Sequence, residues 1–269
     1  MRGRRVRRGA TSRTSRRRSS VSSGVRPTGK AYLTDALIDA VVNEVYERLA
    51  LSDIGLSADE AREILQPIIE KIAEQYSSRP SKDQIVARIM RSQDKLLELI
   101  STYLVETRDE LSEEQLEFVV YNGGLSIARY APKLYRIASR LGREDIIDVL
   151  RSRWIEAGLA TPYLCPRCGF YALTPSLTCI VCGAEVDERE FKESIGFSKL
   201  LEEFADEASL EDIREVVSEG RIAFDGRGLK PPSKAGRDDI VLFLNERDIR
   251  FLKSVLERRR GYGADGNKS

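Results

Sequence analysis

The sequence predicts a mainly α fold: a helical region over residues 31–160, a small α+β region over 187–262, and a cysteine-bearing insert at 161–186 between them. Three observations carry this. Apolar residues recur at three- and four-residue spacing behind Ser, Thr and Asn caps through most of the chain. All four cysteines fall into two Cys-x-x-Cys pairs between residues 165 and 182. Two short runs rich in β-branched and aromatic residues appear only after residue 220. Residues 1–30 form a basic arm that is predicted to be disordered, and 263–269 a disordered tail.

The elements follow in order. Thr34 caps a helix with an apolar face of Leu37, Val41, Val45 and Leu49. Ser57 and Glu60 make a capping-box pair that opens a second, striped by Ile64, Ile68 and Ile72. Pro67 lies inside it and predicts a kink or a break. From Ser81 to about Asp109 the pattern fits one long helix or two. Ser112 and Gln115 start another, which Asn122-Gly123-Gly124 stops. One helix is predicted from Leu125 to Leu141, ended by Gly142, and a further one from Arg143 to Ala157, closed by Gly158. Residues 187–220 return to helix, with a start at Ser209 and Asp212. Residues 221–224 and 239–244 read as strands around a Gly/Pro/Lys loop. Asn245 caps a last helix that ends in Arg258-Arg259-Arg260, with 261–269 expected to fray.

The insert carries the most specific signal. Its pairs read Cys165-Pro166-Arg167-Cys168-Gly169 and Cys179-Ile180-Val181-Cys182-Gly183. Two thiolates two residues apart grip one tetrahedral ion from a tight turn, and the glycine lets the next amide swing toward a sulfur. Two facing turns complete a closed four-sulfur site for one structural zinc ion, with Cys165, Cys168, Cys179 and Cys182 as ligands. These knuckles resemble those of the zinc-ribbon superfamily over about residues 163–184. The resemblance implies zinc and a small ribbon with short strands, such as Gly169–Leu173. It leaves function open, because that superfamily spans transcription, replication and ribosomal proteins and structural inserts in enzymes.

Charge is the second signal. The formal net charge is +1, but residues 1–30 hold eleven Lys or Arg and no acid, and the other 239 residues hold 33 bases and 43 acids. This is a cationic arm on an anionic body. The arm, with Arg4, Arg5, Arg7, Arg8, Arg16, Arg17 and Arg18, reads as a phosphate-binding element that acts by counterion release. A solubility tail, or one that folds back on the body, is the alternative. Residues 118–143 contain no acid. Arg129, Lys133, Arg136 and Arg140 fall at i, i+4, i+7 and i+11 of the predicted helix, and Arg143 extends the patch. Tyr121, Tyr130 and Tyr135 could add stacking surface. That face reads either as a nucleic-acid contact or as a solvated face that pairs with acids elsewhere. A helix-turn-helix over 134–153 fits poorly, because Arg143 and Asp148 fall where apolar residues belong. Residues 163–184 of the insert hold one charge, Arg167, and the thirteen acids of 185–220 face four bases. The insert is therefore expected to pack on protein, its own body or a partner, and the acidic C-terminal region to contact protein.

Composition excludes several classes. There is no histidine, no spare cysteine nucleophile and no Gly-x4-Gly-Lys-Ser/Thr loop. No catalytic residue is assigned; Asp225, Asp238 and Asp239 could gather near a divalent ion but read better as turn caps. No apolar run spans a membrane, and no apolar stretch follows the basic start, so neither an anchor nor a secretory leader is expected. Paired cysteines point to a reducing cytoplasm. A charged fraction of 32% with few Asn and Gln leans toward a thermophile. The expectation is a non-enzymatic zinc protein of a nucleic-acid machine (ribosome, transcription or replication), with RNA or DNA and a protein as partners. A protein–protein adaptor with no nucleic-acid role is the alternative, and a carboxylate- or metal-dependent enzyme a distant third.

Overall fold

Thr34 opens the first helix: its hydroxyl accepts the Leu37 amide at 3.3 Å, and α1 (Asp35–Arg48) buries Ile38, Val41, Val42 and Val45. The computed structural model describes residues 29–265, so the arm's Arg4, Arg5, Arg7, Arg8, Arg16, Arg17 and Arg18 lie outside it. The Ser57–Glu60 capping box forms as predicted and starts α2 (Ala58–Ala73). α2 is continuous across Pro67, where a kink or break is the sequence expectation. The proline removes the donor to the Glu63 carbonyl only. Ile64 and Leu65 before it and Ile69 and Ile72 after it are buried in the same core, which holds the helix together. The 81–109 stretch divides into α3 (Lys82–Met90) and α4 (Gln93–Thr107). α1, α2 and α3 pack on one another, and α4 pairs with α5 (Glu113–Asn122), which the predicted Ser112–Gln115 box opens.

The single helix expected from Leu125 to Leu141 is two elements. A 3₁₀ turn covers Ser126–Tyr130, and α6 (Ala131–Leu141) starts afresh. Pro132 is the cause: it sits in the first turn of α6, where its missing N–H costs no hydrogen bond. α6 ends at Gly142 in the left-handed conformation, and α7 (Glu144–Glu156) folds back against it.

The ribbon strands expected after residue 168 do not form. The insert holds only isolated antiparallel bridges, Leu164 to Tyr171, Leu173 to Cys179 and Thr178 to Glu185. Four of its backbone hydrogen bonds close the two knuckles, and others tie the segments between them, such as Leu173 N–H to the Tyr163 carbonyl and Ile180 N–H to the Ala172 carbonyl. The described β-structure is C-terminal. After α8 (Glu188–Ser194), α9 (Phe197–Glu207) and α10 (Leu210–Glu219), Gly220 turns the chain into β1 (Arg221–Phe224). β2 (Leu229–Lys230), hidden in the loop, and β3 (Ile240–Phe243) flank β1 antiparallel in the order β2-β1-β3, with Ile222 opposite Leu242. Asn245 accepts the Arg247 and Asp248 amides and opens α11 (Glu246–Asp265), which runs past the predicted end at Arg260. One contiguous buried cluster runs from α1 through the cysteines to α11. Among the described residues no helix is long and apolar enough to cross a membrane.

Candidate metal centre

The two knuckles repeat one backbone design. Cys165 N–H donates to the Phe170 carbonyl at 2.8 Å and Gly169 N–H to the Cys165 carbonyl at 2.9 Å. In the second knuckle Cys179 N–H donates to Ala184 and Gly183 N–H to Cys179, both at 2.9 Å. Gly169 and Gly183 close the turns at φ +71° and +73°, a region that disfavours any residue with a Cβ. At Gly169 a Cβ would also lie 2.9 Å from the Arg151 Nε.

These turns bring all four sulfurs within 4.8 Å of one another. Cys165 and Cys182 are 3.8 Å apart and Cys168 and Cys179 3.6 Å. Both distances are far too long for a disulfide, whose sulfurs sit about 2.05 Å apart. A tetrahedron with metal–sulfur bonds of about 2.3 Å has edges of about 3.8 Å, so the donor set fits zinc. Cys165, Cys168 and Cys179 are buried and Cys182 is half-buried. Burial pushes the Cys182 thiol up to about 11. The contact between Cys168 and Cys179 raises the first and holds the second below its ordinary value. Four sulfurs at this spacing and burial cannot all be thiolates unaided, and a divalent cation offsets that repulsion. With four sulfurs on one ion no position remains for water, so the site is structural. Comparison with protein-family models, curated proteins and solved structures finds no match.

The module is anchored on two sides, and Tyr135, read from the sequence as stacking surface, is one of its anchors. On the helical side, Phe170 is buried with its ring edge-on to Tyr135 of α6 and Trp154 of α7, at centroid distances of 5.8 and 6.2 Å. Trp154 Nε1 donates to the Tyr171 carbonyl at 3.0 Å, and Arg151 of α7 donates to the Cys168 carbonyl at 2.9 Å. On the other side, Tyr163 packs against Phe191 of α8 and Phe224 of β1. Its hydroxyl proton is shared between the carbonyls of Asp238 (2.8 Å) and Phe224 (3.1 Å). Burial, reinforced by the Asp239 charge, pushes this phenol up to about 12, so it remains a donor at neutral pH. The low charge and apolar side chains of the insert are the sequence signals for this packing. Arg167, the one charge of residues 163–184, pairs with Glu190 at 3.0 Å. Leu164, Tyr171 and Ile180 are exposed on its outer surface.

The basic residues of 129–143 are brought close together and largely consumed. Arg129 lies on the 3₁₀ turn and pairs with Glu106 at 3.3 Å. Lys133 donates to the Val105 carbonyl at 2.7 Å and to that of Arg108. Arg140 pairs with Glu110 at 2.9 Å, and Arg143 with Glu113, Glu117 and Asp145 at 2.5 to 2.8 Å. Hydrogen bonds that the Arg143 guanidinium donates to Asp145, Glu117 and Glu113 hold it well above its ordinary value. Arg136 has no ion pair among the described residues and lines an open cleft of about 320 Å³ with Tyr135, Ser139 and Cys182. The carboxylates of the C-terminal loop act as caps: Asp225 accepts the Arg227 and Gly228 amides, Asp239 the Gly236 amide, and Lys230 bridges the two.

Proposed function

We propose that this chain is a non-enzymatic, cytoplasmic zinc protein of a nucleic-acid assembly, in which a cationic arm holds the phosphate backbone and the folded body docks on protein. The four-cysteine insert is a zinc ribbon in this reading, reduced to its two knuckles and three bridges, and its ion is a joint between the helical region and the α+β unit. One observation carries the division of labour: Arg129, Lys133, Arg140 and Arg143 are occupied by acids and carbonyls of the body itself. Phosphate affinity therefore falls to the arm, which has ten Arg and no acid in residues 1–28. The exposed Leu164, Tyr171 and Ile180 on the nearly uncharged insert support a protein-facing surface there.

The test is a salt titration of binding to a duplex and to a single-stranded RNA, with the full chain and with a chain that lacks residues 1–28. About 6–10 phosphate contacts cost about 10³–10⁵ in affinity between about 50 and 200 mM salt. The full chain should show that steep slope, and the truncated chain should lose most of both affinity and slope. Equal affinity and slope for the two chains refutes the arm's role.

A further inference from the structure

A second cationic set, which the sequence analysis passed over, lies at the other end of the helical region. Residues 71–95 hold six bases and three acids on an otherwise anionic body. Among the described residues only Lys82 of these six bases is in an ion pair. Lys71, Arg88 and Lys95 are exposed, and the one side-chain partner of Arg88 is Gln75 at 3.4 Å. The three stand around a groove of about 700 Å³ between α2, α3 and α4. Ile68 and Ile72 of α2, Ile89 of α3, and Leu96 and Leu99 of α4 line it, and Leu99 is 44% exposed.

We propose that this groove docks an amphipathic α-helix of a partner protein, with an apolar stripe on the isoleucines and leucines and flanking Glu or Asp on Lys71, Arg88 and Lys95. The choice of occupant follows from three points. The groove walls are helices whose backbone groups bond internally, so they offer no sheet edge, and the occupant must satisfy its own backbone as a helix does. The rim is cationic and lacks acidic partners among the described residues, unlike the 129–143 face, so complementarity calls for acids. No aromatic ring lines the groove, so it lacks the stacking surface that single-stranded nucleic acid uses, while its apolar floor gains nothing from a phosphate. The chain's own arm shares the sign of the rim and is repelled by it. This inference extends the protein-docking half of the proposed function. It can fail while the arm's salt slope stands, and the reverse.

The probes are two fluorescein-labelled, helix-stapled peptides of about 20 residues, with the same Leu stripe at i, i+3, i+4 and i+7 and with flanks of either Glu or Lys. Binding to the full chain is read by polarisation. The Glu peptide should bind about tenfold or more tighter than the Lys peptide, the combined effect of three rim charges. The K71E/R88E/K95E variant should invert that order, and Leu99→Ser should weaken the Glu peptide while far-UV circular dichroism and the urea midpoint show the helical fold intact. Failure of the Glu peptide to bind, equal binding of the two peptides, or a preference that survives charge reversal would overturn the proposal. So would a charge reversal that weakens binding of an oligonucleotide more than that of the Glu peptide, which would make the groove a phosphate site.

Discussion

Removal of the metal should be felt first at Trp154. It is the only tryptophan in the chain, it is buried, and its ring and N–H both contact the module, through Phe170 and the Tyr171 carbonyl. A structural zinc contributes an apparent binding free energy of about 10–16 kcal/mol, against about 5–15 kcal/mol for the whole stability of a typical domain. The insert has no regular strand to stand in for the ion, so the knuckles should open without it. Phe170 then leaves its pocket, at a cost comparable to the about 3–5 kcal/mol of a buried Phe→Ala change. α1, α2 and α3 touch none of this and should keep their helicity. A chelator titration that follows zinc release, tryptophan emission, and near- and far-UV circular dichroism tests the sequence of events. One equivalent of zinc should be released, with a red shift of Trp154 and loss of the near-UV signal while most far-UV signal persists. Cys168→Ser should reproduce the same state without chelator. Blue-shifted Trp154 emission after complete zinc loss, or purified protein with no stoichiometric zinc, would refute the reasoning.

Two further outcomes follow from single contacts. Tyr163→Phe leaves the Phe224 and Asp238 carbonyls without their buried donor and should cost about 1–3 kcal/mol in urea denaturation, with the zinc content unchanged. The Glu60 carboxylate is held below its usual range chiefly by the Ser57 amide, then by the Ser57 hydroxyl and Arg108. Its contribution is therefore present above about pH 4.3, the unfolded value, and is lost as pH falls through the lower folded value. The denaturation midpoints of the native chain and Glu60→Gln should differ at pH 7 and converge toward pH 3, while Ser57→Ala should cost about 1 kcal/mol at pH 7.

Caps and the metal site were legible because each is decided within a few residues. Ser57 with Glu60 and Ser112 with Gln115 form the predicted boxes, and the Cys-x-x-Cys-Gly turns place four sulfurs with no help from distant sequence. The elements that were misread turn on competition between local signals. Pro132 restarts a helix that the apolar period of 125–141 carried straight through, whereas Pro67 is overruled by packing on both sides. Charge was the least legible quantity. Nothing near Arg140 in the sequence says that Glu110 will lie 2.9 Å away, and nothing near Lys71 says that α3 and α4 will bring Arg88 and Lys95 beside it. Whether a cation is spent or free is a property of the fold, and a charge count along the chain cannot distinguish the two.

The two-sided anchoring of the insert also governs how this polypeptide can be dissected. A fragment that stops at residue 160 would leave the Tyr135 and Trp154 rings bare to water, and one that begins at 187 would lose the phenol that seats β1 against the loop before β3. The boundaries that the sequence suggests on either side of the cysteines are thus poor places for scissors, and soluble pieces should be sought only by trimming the outer ends.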